Sequence, residues 1–132
     1  MKTSLNAITL VDDEVITNFV NKMLLEKMHI CQDINVYDEA PKALEDLIRN
    51  MDLGSGKLPE IMFVDINMPE MNGWEFINKF CSYEELKKRI KVYLLSSSQS
   101  VDDVKRAEEN ECVKGFIGKP LTEEKVLQAI NG

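Results

Sequence analysis

The sequence predicts a doubly wound α/β fold, a five-stranded parallel sheet with helices on both faces, and three observations predict it. Short apolar runs at residues 7–11, 34–37, 61–64, 92–95 and 113–117 alternate with longer stretches of three-and-four periodicity, the βαβ order that calls for parallel strands and right-handed crossovers. The first, third and fourth runs (AITLV, IMFV, VYLL) are nearly continuous in apolar residues, as strands covered on both faces must be. The 132 residues, 44% hydrophobic and 30% charged, suit one domain whose single core closes without disulfide staples.

Taken in order, the stretch 14–28 places Ile16, Phe19, Val20, Met23 and Leu24 on one apolar face, which predicts a helix with that face turned inward. Asp38 reads as the N-cap of the next helix, with Pro41 in its first turn and Ala40, Ala43, Leu44, Leu47 and Ile48 as its stripe. The turn Met71-Asn72-Gly73 precedes a helix over 74–86 in which Phe76, Ile77 and Phe80 share a face, and residues 83–89 read as an added charged turn. Ser100 caps a helix through about Asn110 that points Val101, Val104 and Ala107 inward. Thr122 caps the last, with Glu123 and Glu124 where the dipole favours anions and Val126, Leu127 and Ile130 on the buried side. Trp74 reads as a partly exposed packing residue, and the methionines, Met23 among them, as core filler.

Composition narrows function. Sixteen Lys and Arg against 23 Asp and Glu leave a charge of −7, which repels a phosphate backbone, and no basic cluster offsets it, so nucleic acid is not an expected partner. Cys31, Cys81 and Cys112 are far apart and in no CxxC or Cys/His pattern, which reads as free thiols in a reducing cytoplasm rather than a disulfide framework or zinc site. No cleavable leader and no apolar run of membrane-spanning length is present, so no membrane association is expected. The loop Gly54-Ser55-Gly56-Lys57 lacks the phosphate-cradle pattern and precedes a strand instead of a helix, so it reads as a flexible connection.

In sheets of this kind ligands sit beyond the carboxyl ends of the strands. The residues just past the apolar runs are Asp12 and Asp13, Asp65, Ser96 and Lys119: three carboxylates, a hydroxyl and an amine at one edge. Three ionised carboxylates in close array repel by about 4 kcal/mol per pair at an effective dielectric of about 20, so a cation must sit among them. Oxygen donors without His or thiolate suit Mg²⁺, which takes phosphate oxygens as its remaining ligands. Lys119 and Ser96 would then face a phosphoryl group, and Asp65, alone at the end of the central run, is the best nucleophile.

The residues Leu10-Val11-Asp12-Asp13-Glu14, the run from Val64-Asp65-Ile66-Asn67 through Asn72-Gly73, Leu95-Ser96-Ser97 and Gly118-Lys119-Pro120 resemble the signature set of the receiver domain of two-component response regulators, in the family's order and over nearly the whole chain. The resemblance implies a flavodoxin-like (βα)5 sheet of strand order 2-1-3-4-5 and a single receiver domain over residues 1–132 with a core of about 7–131 and no output domain. It implies that Asp65 accepts a phosphoryl group from a histidine kinase or histidine phosphotransfer protein. Asp13, Asp65 and the backbone carbonyl of Asn67 would coordinate Mg²⁺, with Asp12 assisting through water. Ser96 stands at the family's hydroxyl position, Lys119 at its lysine, followed by a proline whose preceding bond is typically cis. Phe116 stands at its aromatic switch position and lacks the outward-bonding hydroxyl of a tyrosine. The expected protein is a cytoplasmic bacterial phosphorelay switch, not an enzyme, monomeric or dimerising on phosphorylation, that signals to a downstream protein.

Two features depart from the commonest pattern. The run Ser96-Ser97-Ser98 leaves the hydroxyl's register open by one, with Ser96 favoured by counting from Val92, and Asn110-Glu111-Cys112 makes the turn before the last strand one residue longer. Two other readings stay in view: a receiver-shaped scaffold that works without phosphorylation, and a phosphohydrolase of the haloacid dehalogenase type. The latter would carry an acid two residues after its nucleophile, where this chain has Asn67.

Overall fold

A computed structural model describes residues 5–54, 58–68, 71–97 and 101–132. Among these, the strands are β1 (Leu5–Val11), β2 (Cys31–Tyr37), β3 (Ile61–Asp65), β4 (Lys91–Ser96) and β5 (Gly115–Gly118). They pair in parallel in the order β2-β1-β3-β4-β5, the doubly wound arrangement expected. The helices are α1 (Val15–Met28), α2 (Ala40–Leu53), α3 (Gly73–Cys81), α4 (Glu84–Arg89), α5 (Val101–Glu109) and α6 (Glu123–Asn131). None is long and apolar enough to cross a membrane.

The sheet separates two cores. On one side Met62, Val64, Val92 and Leu94 meet Ala43, Leu44 and Leu47 of α2, Phe76, Ile77 and Phe80 of α3, and Ala107 of α5. On the other, Ile8, Leu10, Phe63 and Leu95 meet Leu25 of α1 and Val126 and Ala129 of α6. The central strands β1, β3 and β4 are the three continuous apolar runs, and β3 is buried at every position because it is covered on both faces. Consecutive residues of each strand feed opposite cores, as the pleat requires.

Several elements differ from expectation. The largest difference is in α1, where Ile16, Phe19, Val20 and Met23 lie on the solvent side and Asn18, Asn21 and Leu25 are buried. The helix is rotated because Asn18 is needed inside: its side-chain amide donates to the backbone carbonyls of Asp12 at 2.7 Å and of Tyr37 at 3.3 Å, the latter also taking the Asp12 N–H, and so ties the ends of β1 and β2 together. Glu39, not Asp38, is the N-cap of α2, and its side chain makes no capping bond. The helix after Gly73 breaks at Ser82, so the charged stretch forms the separate α4 rather than an extension of α3. Val101 and Leu127 are exposed, and of the stripes predicted for α5 and α6 Ala107 and Val126 are the residues fully buried, while Ala129, outside the predicted stripe, is buried as well. Trp74 is buried, with the Arg106 guanidinium 4.3 Å from its ring centroid. Thr122 caps α6 as expected, accepting from the Lys125 N–H at 3.2 Å. Ser100, Ser98, and most of the Gly54–Lys57 loop lie outside the described residues.

Candidate functional site

The strand ends converge because the strands are parallel and in register. Asp12 follows β1, and its N–H donates to the Tyr37 carbonyl at 3.0 Å, which carries the β1–β2 ladder one step further. Its carboxylate is buried: Oδ1 accepts the Glu14 N–H at 2.9 Å, and Oδ2 lies 2.9 Å from Nζ of Lys119. Asp13, next in the chain, points its oxygen to the same place but is more exposed. Asp65 is the last residue of β3 and only 4% exposed. Its Oδ1 accepts the Asn67 N–H at 3.3 Å and lies 3.5 Å from Nζ of Lys119.

The segment after Asp65 is held by backbone. Ile66 N–H donates to the Leu95 carbonyl at 3.1 Å, and Gly73 N–H to the Ile66 carbonyl at 3.0 Å. A Cβ at position 73 would stand 2.6 Å from Cα of Ile66, so only glycine lets the start of α3 lie against this segment. A capping box, in which the Asn72 side chain accepts from Glu75 N–H at 2.9 Å and the Glu75 carboxylate from Asn72 N–H at 3.0 Å, fixes where α3 begins.

Lys119 stands directly after β5. Its N–H donates to the Ser96 carbonyl at 2.8 Å, and the Lys119–Pro120 bond is cis, as the resemblance implied. Lys125, which sequence reasoning passed over, donates from Nζ to the carbonyls of Gly118 at 2.7 Å and Pro120 at 3.1 Å and so holds the turn that presents Lys119. Only its place three residues past a capping Thr hinted at this. Ser96 is the buried end of β4, opposite Gly118 in the register, whereas Ser97 is exposed. Phe116, one pleat before Ile117, is half-buried against the α2–α3–α5 core.

The carboxylate oxygens of Asp12, Asp13 and Asp65 lie within 4.8 Å of one another. Burial, then the charge of Asp12, pushes the Asp65 carboxyl up to about 6, against the opposing pull of Lys119 and the Asn67 N–H. Burial works against the Lys119 ammonium, but its hydrogen bond to Asp12 and the charges of Asp12 and Asp65 outweigh it and raise the group above the usual lysine range. One lysine facing three carboxylates leaves negative charge unmatched. The donor set is all oxygen, without thiolate or imidazole, and it fits a hard divalent cation such as Mg²⁺.

The expectation of three free thiols is corrected. Cys81, at the end of α3, and Cys112, in the turn before β5, form a disulfide across 31 residues with Cα atoms 5.9 Å apart, and only Cys31 is free.

Comparison with known proteins agrees with this geometry. The family model of the response regulator receiver domain matches residues 8–131. A two-component response regulator from Cytophaga hutchinsonii has a crystal structure that superposes with a TM-score of 0.89 at 32% identity, covering 97% of this chain and 96% of that one. The probable methanogenesis regulatory protein FilR2 of Methanothrix harundinacea is 32% identical over 89 residues, 67% of this chain and 56% of its own length. The sensory transduction protein LytT of Bacillus anthracis is 28% identical over 123 residues, 93% of this chain and 45% of its own length. The chain thus spans about half the length of the curated relatives it matches. With the strand order, the clustered aspartates and the matched span all in agreement, the chain belongs to the response regulator receiver domain family.

Proposed function

We propose that this protein is a phosphorylation-controlled switch in which Asp65 accepts a phosphoryl group from a histidine kinase or histidine phosphotransfer protein. The observation that carries the reading is the convergence of three carboxylates on one lysine: Lys119 lies 2.9 Å from Asp12 and 3.5 Å from Asp65 at the carboxyl edge of the sheet. In the transfer, the P–N bond of the partner's phosphohistidine breaks as a P–O bond to the Asp65 carboxylate forms, and the imidazole leaves and takes up a proton. Asp13, Asp65 and the Asn67 carbonyl, with Asp12 beside them, would hold Mg²⁺, which when bound would screen the carboxylates and neutralise phosphoryl charge.

Lys119 gives up part of its pairing with Asp65 to meet a phosphoryl oxygen, and the Ser96 hydroxyl donates to another. Movement of Ser96 toward the phosphoryl group vacates space that Phe116 fills, which repacks the face formed by α5, β5 and α6. Output is a change in what that face binds, with no enzymatic turnover required of the protein.

The rotation of α1 supports a protein donor. Val15, Ile16, Phe19, Val20 and Met23 form an exposed apolar stripe on the helix that begins two residues after Asp13, and a patch of this kind beside a reacting group is a contact surface for the molecule that reaches it. The phosphohistidine partner covers this stripe as it delivers the phosphoryl group to Asp65.

Incubation with acetyl phosphate and Mg²⁺ is expected to add about 80 Da to the chain. Asp65→Asn is expected to remove the gain while leaving the circular dichroism spectrum unchanged. An unmodified wild-type protein would favour the scaffold reading, and a gain that survives Asp65→Asn would displace Asp65 as acceptor.

A further inference from the structure

Cys81 and Cys112 join two elements that the sheet edge alone would not tie together. Helices α3 and α5 are already linked near the start of α3, where Arg106 of α5 stacks on Trp74. The Cys81–Cys112 bridge links the far end of α3 to the turn that follows α5. That turn leads straight into β5: Lys114 N–H donates to the Val92 carbonyl at 2.7 Å, Phe116 follows, and Lys119 closes the strand. The bridge therefore anchors one end of the strand whose other end presents Lys119 to the aspartates.

We propose that the Cys81–Cys112 pair is a reversible redox latch: closed, it clamps α5 and β5 to α3 and holds back the rearrangement of the α5–β5–α6 face; open, it lets that face follow the modification of Asp65. The coupling half of this proposal rests on the reading of Asp65 above. The chemistry needs two thiols in reach and an oxidant, which is a peroxide. Cys81 is partly exposed and Cys112 buried, so Cys81 is the sulfur that meets solvent. Its thiolate attacks the peroxide, the O–O bond breaks, and one water leaves with Cys81 as a sulfenic acid. The Cys112 sulfur then displaces the hydroxyl as a second water and the S–S bond forms. Two thiols lose two electrons in all and hydrogen peroxide gains them. A dithiol reductant reverses the step by thiol exchange.

The surroundings favour this over metal binding. Glu111 brings a carboxylate oxygen to within 4.8 Å of both sulfurs, and that carboxylate is already engaged by a lysine. A cation at that point would compete with Lys87, whose ammonium lies 3.4 Å from the same carboxylate. Cys31 supplies a control in the same chain. It sits on edge strand β2, and burial, together with the charges of Asp33 and Glu60, pushes its thiol up and keeps it protonated.

The test has two arms. The full chain is reduced with dithiothreitol, half is treated with hydrogen peroxide, and both samples are unfolded in N-ethylmaleimide and weighed. The reduced chain is expected to gain three adducts of about 125 Da, and the oxidised chain one adduct on Cys31 and a loss of about 2 Da for the bridge. Three adducts after peroxide, or a bridge that dithiothreitol cannot open in the folded protein, would overturn the latch. In the second arm, amide hydrogen exchange over 101–109 and 115–118 is compared before and after acetyl phosphate with Mg²⁺. The change is expected in the reduced protein and in Cys112→Ser, and about threefold smaller in the oxidised protein. Equal changes in all three would refute the coupling. If no form gains the phosphoryl mass, the reading of Asp65 fails and the coupling with it, while the adduct count still decides the pairing by itself.

Discussion

Helices α1 and α3 follow the two strands that deliver the aspartates, yet they spend their apolar residues in opposite ways. In α3, Phe76, Ile77 and Phe80 are fully buried and the helix is a wall of the core. In α1, Ile16 is 77% and Phe19 63% exposed, and the inner face carries Asn18 and Asn21. An amphipathic helix need not turn its more apolar side inward when the chain beneath it has carbonyls to satisfy and the outer side faces a visiting partner. Asn18 sees to the first need by donating to the Asp12 and Tyr37 carbonyls, and the stripe left exposed is the surface proposed above for the phosphohistidine partner.

The comparison is broken most severely in the core. Phe80→Ala is expected to cost about 3–5 kcal/mol in urea unfolding, as full burial of an aromatic implies, whereas Phe19→Ala should move the midpoint by no more than about 0.5 kcal/mol. Similar losses at both positions would show that the two helices pack alike.

The next effect concerns Asp65, the proposed acceptor. Burial raises the Asp65 carboxyl to about 6 from the 3.8 of an unfolded chain, so without metal it stabilises the fold below about pH 4 and loses that contribution as pH rises through 6. Asp65→Asn is therefore expected to raise metal-free stability by about 2 kcal/mol at pH 7.5, with the gain fading toward pH 4. Addition of Mg²⁺ should stabilise the wild type and not the variant. Thermal unfolding across pH, with and without Mg²⁺, reads both.

Asn18→Leu is expected to take the side-chain donor from the Asp12 carbonyl, leave the Tyr37 carbonyl with the Asp12 N–H alone and cost about 1–2 kcal/mol, with a weaker Mg²⁺ titration because the Asp12 loop is no longer held. Unchanged Mg²⁺ affinity would reduce Asn18 to a packing residue. The smallest effect on stability, that of Phe19→Ala, should accompany a loss of about tenfold in the rate of transfer from a phosphohistidine protein, with modification by acetyl phosphate unaltered. An unaltered rate from the protein donor would remove the stripe from the docking surface.

These contrasts mark what could be read in the sequence. Strand ends were legible because a buried parallel strand must be an apolar run, and the residue that stops the run declares itself: Asp65, Ser96 and Lys119 stand where β3, β4 and β5 end. Gly73 was legible as a turn, though the close approach to Ile66 that demands it was not. The orientation of α1 was illegible because periodicity shows that a helix has two faces without saying which of them meets the sheet. The Cys81–Cys112 pair was hidden by a separation of 31 residues, which no local spacing rule spans. Trp74 read as partly exposed because its cover, Arg106, comes from a helix far along the chain.

The central claim is that one carboxylate of the cluster, that of Asp65, carries the phosphoryl group. Borohydride reduces an acyl phosphate to the alcohol, so treatment of the modified protein followed by peptide mapping locates the acceptor as homoserine. The result expected is homoserine at position 65 alone; homoserine at position 12 or 13, or at none of the three, would contradict it.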